Sequence, residues 1–212
     1  MKQYPSIQHY NKGLYGEKIY AFDKLDGSNI RAEYSCKRKE WYKFGTKTSM
    51  IDKKSDFADA IPIFKEKYGD KLAKVFSDKY PKIESVVVFC EYLGETSFAG
   101  RHSIEDKKDL ILFDVSLYKK GFVHPNEFID NFGHLDIPKL VYEGKYTDEF
   151  INDIRKNIHN LSEGVICKGV VGKEVWMTKV KTLEWLRKVK ELHGEKYLYM
   201  ELNNDKQLIK SY

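Results

Sequence analysis

The stretch Phe22-Asp23-Lys24-Leu25-Asp26-Gly27-Ser28-Asn29 holds the residues with the most chemistry to offer. Lys24 ends an apolar run, Ile19 to Phe22, with an acid two residues later and a glycine directly after that. An amine attacks only when unprotonated, so a nucleophilic lysine needs surroundings that disfavour the ammonium. The junction of a buried strand with a turn supplies them. Gly27 lets the backbone turn closely around a ligand, and Asp26 can accept a hydrogen bond from a sugar hydroxyl or hold the turn. On spacing alone, Lys-x-Asp-Gly is also an ordinary surface turn.

Further along, Ser85 to Gly94 contains a β-branched run that reads as a buried strand, with Glu91 near its far end needing a partner or water. Phe113 lies inside the strand-like segment Asp109 to Tyr118, where core packing is the simple reading for one phenylalanine. Ser162 to Gly169 opens a strand with Glu163-Gly164 and carries Lys168. In Glu174 to Lys181, Lys179 and Lys181 are two apart on a strand, so both ammonium groups leave one face. That juxtaposition suits an anion between them, or a solvated edge strand.

Taken in order, Lys24-Leu25-Asp26-Gly27-Ser28-Asn29, Val88-Phe89-Cys90-Glu91, Phe113-Asp114-Val115, Glu163-Gly164 and Lys179-Val180-Lys181 resemble motifs I, III, IIIa, IV and V of the covalent nucleotidyltransferases. That superfamily comprises DNA ligases, RNA ligases and mRNA capping enzymes, and this chain is most similar to the RNA ligase 2 and RNA-editing ligase group. The resemblance implies that Lys24 becomes joined to a nucleoside monophosphate through a phosphoramidate bond, with Asp26, Gly27 and Asn29 beside the nucleotide. It implies that Glu91 hydrogen-bonds the ribose and that Phe113 stacks on the purine. It assigns Glu163 to placing a divalent metal, Mg2+ or Mn2+, and Lys179 and Lys181 to the α-phosphate. Lys168 suits a phosphate contact or a solvated strand end. Gly45-Thr46-Lys47-Thr48-Ser49 resembles motif Ia, where Lys47 takes the place of a basic residue near the nucleotide or incoming strand.

These groups need strands to hold them. Alternation and β-branched content predict strands over Lys18–Lys24, Asn29–Tyr34, Trp41–Phe44, Ser85–Gly94, Asp109–Tyr118, Lys139–Tyr142, Ser162–Gly169 and Glu174–Lys181. Apolar residues recur at helical spacing over Asp56–Tyr80, where Pro62 and Gly69 predict two helical pieces. Helices are also predicted over His124–Phe132, Thr147–Asn160 and Thr182–Leu192, followed by a strand over Tyr197–Leu202 and a last turn over Asp205–Lys210. The first fifteen residues, with Tyr4, Tyr10 and Tyr15, read as irregular, and Glu95 to Lys108 as a polar loop. That loop contains Thr96, Ser97, Phe98, Arg101 and His102, of which Arg101 or His102 could touch a phosphate of a bound strand, with solvated charge the commoner role.

The pattern is α+β: an ATP-grasp-like nucleotidyltransferase domain of antiparallel sheets flanked by helices, with the nucleotide expected between the sheets. About thirty residues follow Lys181, fewer than an OB domain requires. The expectation is therefore a single minimal domain over residues 1–212, with a short helix/strand extension from 182. A net charge of +5 permits a polyanionic partner without demanding one. No apolar run is long enough to span a membrane, and the N-terminus lacks a signal-peptide core. Cys36, Cys90 and Cys167 are widely spaced in strand-like runs and read as buried free thiols in a reducing, cytoplasmic compartment. The expected activity is an ATP-dependent RNA ligase that forms lysyl-AMP, adenylylates a 5′-phosphate and joins it to a 3′-hydroxyl. ATP and Mg2+ (or Mn2+) are its expected cofactors and RNA ends its partner, and the short C-terminus leaves open a partner protein for sealing. The alternatives are a capping-type guanylyltransferase and a nucleotide- or nucleic-acid-binding module.

Overall fold

A computed structural model describes residues 1–9, 11–94, 105 and 107–202. Tyr10, the loop residues Thr96, Ser97, Phe98, Arg101 and His102, and the turn expected over 205–210 lie outside them. The chain divides into two compact units, Met1–Pro5 with Asp26–Pro138, and Ser6–Leu25 with Lys139–Tyr212.

The first unit is built on a five-stranded antiparallel sheet in the order β3-β2-β4-β5-β6, comprising β2 (Ser28–Ser35), β3 (Glu40–Thr46), β4 (Ser85–Leu93), β5 (Asp109–Leu117) and β6 (Gly121–Phe122). Register sets the two faces. Ile30, Cys90 and Leu112 are aligned, as are Ala32, Val88 and Val115, and all six are buried. This apolar face packs on a helical run in which Phe64 meets Trp41 at 4.7 Å and Phe76 meets Tyr34 at 5.7 Å between ring centroids. The Tyr68 hydroxyl donates toward the carbonyls of Leu110 and Asp136 and accepts from the amide of Leu112, tying the run to β5. A β-bulge between the pairs Phe89–Asp114 and Cys90–Leu112 leaves Phe113 as the extra residue of β5.

The helical run departs from the two pieces expected. It continues without a break through α1 (Ala60–Phe64), a π-helical turn (Lys65–Gly69) and α2 (Asp70–Lys79). Pro62 falls in the first turn, where its missing N–H leaves no bond unmade. At the π turn the Gly69 carbonyl accepts the Trp41 indole N–H at 3.0 Å, a bond that compensates the widened helical ladder. Helix α3 (Pro125–Phe132) begins with Pro125 and packs Phe132 on Phe76.

The second unit carries an antiparallel sheet in the order β7-β1-β8-β9, formed by β1 (Lys18–Asp23), β7 (Leu140–Lys145), β8 (Gly164–Val171) and β9 (Glu174–Lys181). One face presents Ile19, Ala21, Val165, Cys167 and Val180 to Leu14, Phe150, Ile151 and Ile154, a continuous apolar core. Phe150, Ile151 and Ile154 belong to α4 (Asp148–Arg155), whose cap, Thr147, accepts from the Phe150 amide. By the period of two, Tyr20, Phe22, Ile166, Lys168, Lys179 and Lys181 belong to the other face. Helix α5 (Leu183–His193) is capped by buried Thr182, which accepts from the Trp185 amide.

The strand expected over Tyr197–Leu202 is instead a helix, α6 (Glu195–Glu201). Leu198 and Leu202, four apart, share a buried cluster with Leu186, and that helical register outweighs the β preference of Tyr197 and Tyr199. Cys90 and Cys167 are buried free thiols as expected, but Cys36 is half-buried in the turn after β2. Among the described residues no helix is long and apolar enough to cross a membrane.

Candidate active site

In the second unit, backbone bonding brings three chemically matched groups together. β1 ends at Asp23, and the next amide, that of Lys24, donates to the Gly164 carbonyl at 2.9 Å. Lys181 lies opposite Gly164 in the β8–β9 ladder, and the Thr182 amide donates to the Glu163 carbonyl at 3.0 Å. Gly164 makes this junction possible. Its φ is +149°, and a Cβ there would collide with the Val180 carbonyl oxygen. Glu163 is thereby set between the two lysines: Oε2 is 2.7 Å from Lys24 Nζ, and Oε1 is 2.5 Å from Lys181 Nζ.

Burial makes the arrangement consequential. Glu163 and Lys181 side chains are each 3% exposed and Lys24 is 23% exposed. A buried carboxylate satisfied by two ammonium groups leaves the trio with one net positive charge, suited to a phosphate. Lys181 Nζ also lies 5.7 Å from the centre of the Trp185 ring. Lys168 is not a solvated strand end: it is buried in mid-β8, with its ammonium 5.3 Å from the centre of the Phe22 ring. Lys179 is half-buried, and its amide donates to the Gln8 carbonyl at 2.9 Å, which pins the outer edge of β9.

Asp23 was not singled out from the sequence. Burial, above all, pushes its carboxyl above the usual range, against the pull of Lys139; nearby Glu163 adds to the upward push. Its Oδ1 is buried without a hydrogen-bond partner among the described residues. An acid closing an apolar strand directly before a candidate nucleophile was the available signal.

In the first unit the turn after Lys24 packs on the end of β4. The Gly27 amide donates to Glu91 Oε1 at 3.0 Å. A Cβ on Gly27 would approach the Tyr92 carbonyl oxygen to 2.5 Å and Glu91 Cγ to 2.7 Å, so glycine is required here for close backbone approach. Glu91 is therefore not simply facing water. Asn29 is its direct cross-strand partner, and Asn29 Oδ1 is buried with no hydrogen-bond partner among the described residues. Asp26 is half-buried at the same turn. Phe113, half-buried at the bulge, packs against Tyr4 at 4.9 Å with the rings nearly perpendicular. Lys47 is exposed in the turn after β3, one residue beyond the last β2–β3 pair, Ile30–Thr46.

Among the described residues no group of three or more His, Cys, Asp or Glu side chains forms a metal cage. A divalent cation at the Glu163 carboxylate would take its other ligands from phosphate oxygens and water, a coordination magnesium favours. The single hard oxygen donor fits that role.

The fold matches those of solved RNA ligase structures. A Naegleria gruberi RNA ligase with PPi superposes with a TM-score of 0.66 at 15% identity, covering 90% of this chain and 58% of the other. A variant of that ligase with ATP and Mn gives 0.58 at 17% identity over 84% and 53% of the two chains. Another, with AMP and Mn, gives 0.63 at 14% identity over 92% and 59%. The chain thus spans less than two thirds of the length of these structural relatives. No curated protein matches it by sequence. The RNA ligase family pattern matches residues 17–186, from the start of β1 into α5, and the chain belongs to the RNA ligase family.

Proposed function

We propose that this chain is an ATP-dependent RNA ligase in which Lys24 forms a covalent lysyl-AMP intermediate. The observation that carries the reading is the Lys24–Glu163–Lys181 cluster, an amine, a buried acid and a second ammonium held together within the span that matches the RNA ligase family. Lys24 Nζ attacks the α-phosphorus of ATP, and the bond from that phosphorus to the bridging oxygen breaks, releasing pyrophosphate. Glu163 Oε2 is the hydrogen-bonded acceptor in place for the proton that Lys24 sheds. Lys181, with Lys179 on the same strand face and Lys168 beside them, stabilises negative charge on the phosphate oxygens. Glu163 would hold a divalent ion, which when bound would supply charge neutralisation for pyrophosphate release.

An oxygen of an RNA 5′-phosphate then attacks the α-phosphorus, the phosphorus–nitrogen bond breaks, and Lys24 is regenerated. A 3′-hydroxyl finally attacks the activated 5′-phosphorus and AMP leaves. Phe113 stacks on the base, Glu91 and Asn29 accept ribose hydroxyls, and Asp26 and Gly27 shape the turn that follows the nucleophile. Lys47 meets a phosphate of the nucleotide or incoming strand. The Mn-bound relatives support both a nucleoside triphosphate and a divalent ion.

The test is incubation with α-labelled ATP and, separately, GTP in the presence of magnesium, followed by denaturing electrophoresis. Acid-labile label from ATP that is lost in Lys24→Ala supports the adenylyltransferase step. Label from GTP alone would move the chain to the capping class. Absence of label from either, on protein first cleared of AMP with pyrophosphate, would overturn the reading. Sealing of 5′-phosphorylated RNA with and without candidate partner proteins then tests the strand-joining step.

A further inference from the structure

Arg31 is a buried arginine in the middle of a β-strand, 3% exposed, opposite Phe89 on β4 and Gly45 on β3. A guanidinium in that position is costly unless its donors are used. Here they serve backbone carbonyls: Nε donates to Thr46 O at 2.7 Å, and Nη1 donates to Met1 O at 3.2 Å and Lys2 O at 3.0 Å. Gly45 leaves room for this arrangement, since a Cβ there would lie 3.2 Å from Arg31 Nε and 2.8 Å from Met1 Cε.

The segment so held, Met1–Pro5, forms no regular structure, and its amino terminus lies 3.6 Å from Glu33 Oε2. Lys2 Nζ donates to Ser116 Oγ at 2.9 Å and lies 4.0 Å from the centre of the Phe122 ring. Tyr4 donates its hydroxyl proton to Asp114 Oδ2 at 2.8 Å, while Asp114 Oδ1 accepts from the Val115 amide. The Tyr4 ring contacts Phe89 at 5.0 Å, Phe122 at 5.5 Å and Phe113 at 4.9 Å. Burial, reinforced by Asp114, keeps the Tyr4 phenol protonated and able to donate. Phe113 is the extra residue of the bulge in β5, so the orientation of its ring depends on its neighbours more than on the ladder.

We infer that Arg31 is a positioning residue for nucleotide binding: it clasps the Met1–Pro5 segment across the sheet, so that Tyr4 holds the Phe113 ring in the orientation that receives the base. This rests on the proposed function only in taking Phe113 as the ring on which the base stacks. The same guanidinium fixes the carbonyl immediately before Lys47, coupling two sequence-distant parts of the first unit.

The test is an ATP titration of self-adenylylation in the full chain for wild type, Arg31→Met, Phe113→Leu and the double variant, with equilibrium binding of fluorescent ATP run alongside. Arg31→Met should raise the half-saturating ATP concentration about tenfold, the loss expected when a base–aromatic stack is spoiled. The labelling rate at saturating ATP should stay within about twofold, and the double variant should match Phe113→Leu, because the two act through one contact. An unchanged half-saturation, or effects that simply add, would overturn the inference. If Arg31→Met does not fold, Tyr4→Phe, which removes only the phenol oxygen, should raise half-saturation by a smaller factor; no change there overturns it equally. ATP binding without labelling would defeat the lysyl-AMP reading while the binding constants still decide the clasp. No ATP binding by wild type would defeat both.

Discussion

Glu163 ion-pairs with Lys24 at 2.7 Å while its second oxygen holds Lys181. One acid thus satisfies two ammonium groups, one of them almost fully buried. Glu163→Gln retains the shape but removes the charge that both lysines use. Breaking a buried pair by removing one partner is expected to cost about 3 kcal/mol. The added substitution Lys181→Met should recover much of that loss, because the stranded ammonium is gone. Urea denaturation of the single and double variants measures both effects. Equal stability of wild type and Glu163→Gln would mean that the pair is solvated rather than buried.

Lys24→Ala should separate chemistry from folding. Glu163 keeps Lys181, and the Lys24 amide still donates to the Gly164 carbonyl, so the expected stability change is about 1 kcal/mol or less. Covalent labelling from ATP should nevertheless disappear completely. Residual acid-labile label on a folded Lys24→Ala protein would place the nucleophile elsewhere.

Gly164→Ala should be far more damaging than its size suggests. The residue sits at φ +149°, and the added methyl would run into the Val180 carbonyl oxygen. The expected loss is about 2 kcal/mol or more, together with slower labelling because Glu163 moves with the turn. A denaturation midpoint unchanged from wild type would refute that account of the Glu163-Gly164 pair.

The parts of this molecule that were legible in the sequence are those with a period. Glu174–Lys181 reads as a strand from end to end because Val180 alternates with Lys179 and Lys181, and the structure gives the same limits. Glu163-Gly164 was legible as a strand opening, yet the φ of Gly164 that turns the glutamate toward Lys24 was not. The bulge at Phe113 leaves no mark, because an extra residue in a strand changes register without changing composition. The Met1–Pro5 segment has no period at all, and Arg31 binds backbone carbonyls, which every residue possesses. Lys168 read as readily as a solvated lysine because burial of its stem depends on which strand face it occupies. The end of the chain was misread where Tyr197 and Tyr199 favour a strand and the Leu198–Leu202 spacing, which meets Leu186, favours a helix.

The thiols give a simple test of packing. Burial pushes the Cys90 and Cys167 thiols well above their usual pKa, and burial also raises that of half-buried Cys36. The thiolate is the reacting species, so all three should be slow at pH 8. Cys36 should still react first with a thiol reagent under native conditions, with Cys90 and Cys167 reacting only on unfolding. Fast modification of more than one thiol in native protein would mean that at least one of the two sheets opens readily.

Asp23 offers the sharpest link between stability and function. Its carboxyl is pushed up chiefly by burial, so the native state binds its proton more tightly than the unfolded chain does. For a raised carboxyl the contribution to stability is fully present below the unfolded pKa, about 3.9, and is lost as pH rises through the folded value. At neutral pH the ionised side chain therefore weakens the fold. Asp23→Asn should melt at a higher temperature than wild type at pH 7, with the difference vanishing as pH falls below about 4. A half-buried carboxylate kept where it destabilises, next to the proposed nucleophile, is the pattern expected of a residue retained for chemistry. The same variant should consequently label more slowly with ATP despite its greater stability. A variant that is both more stable and equally active would reduce Asp23 to a tolerated defect in the strand.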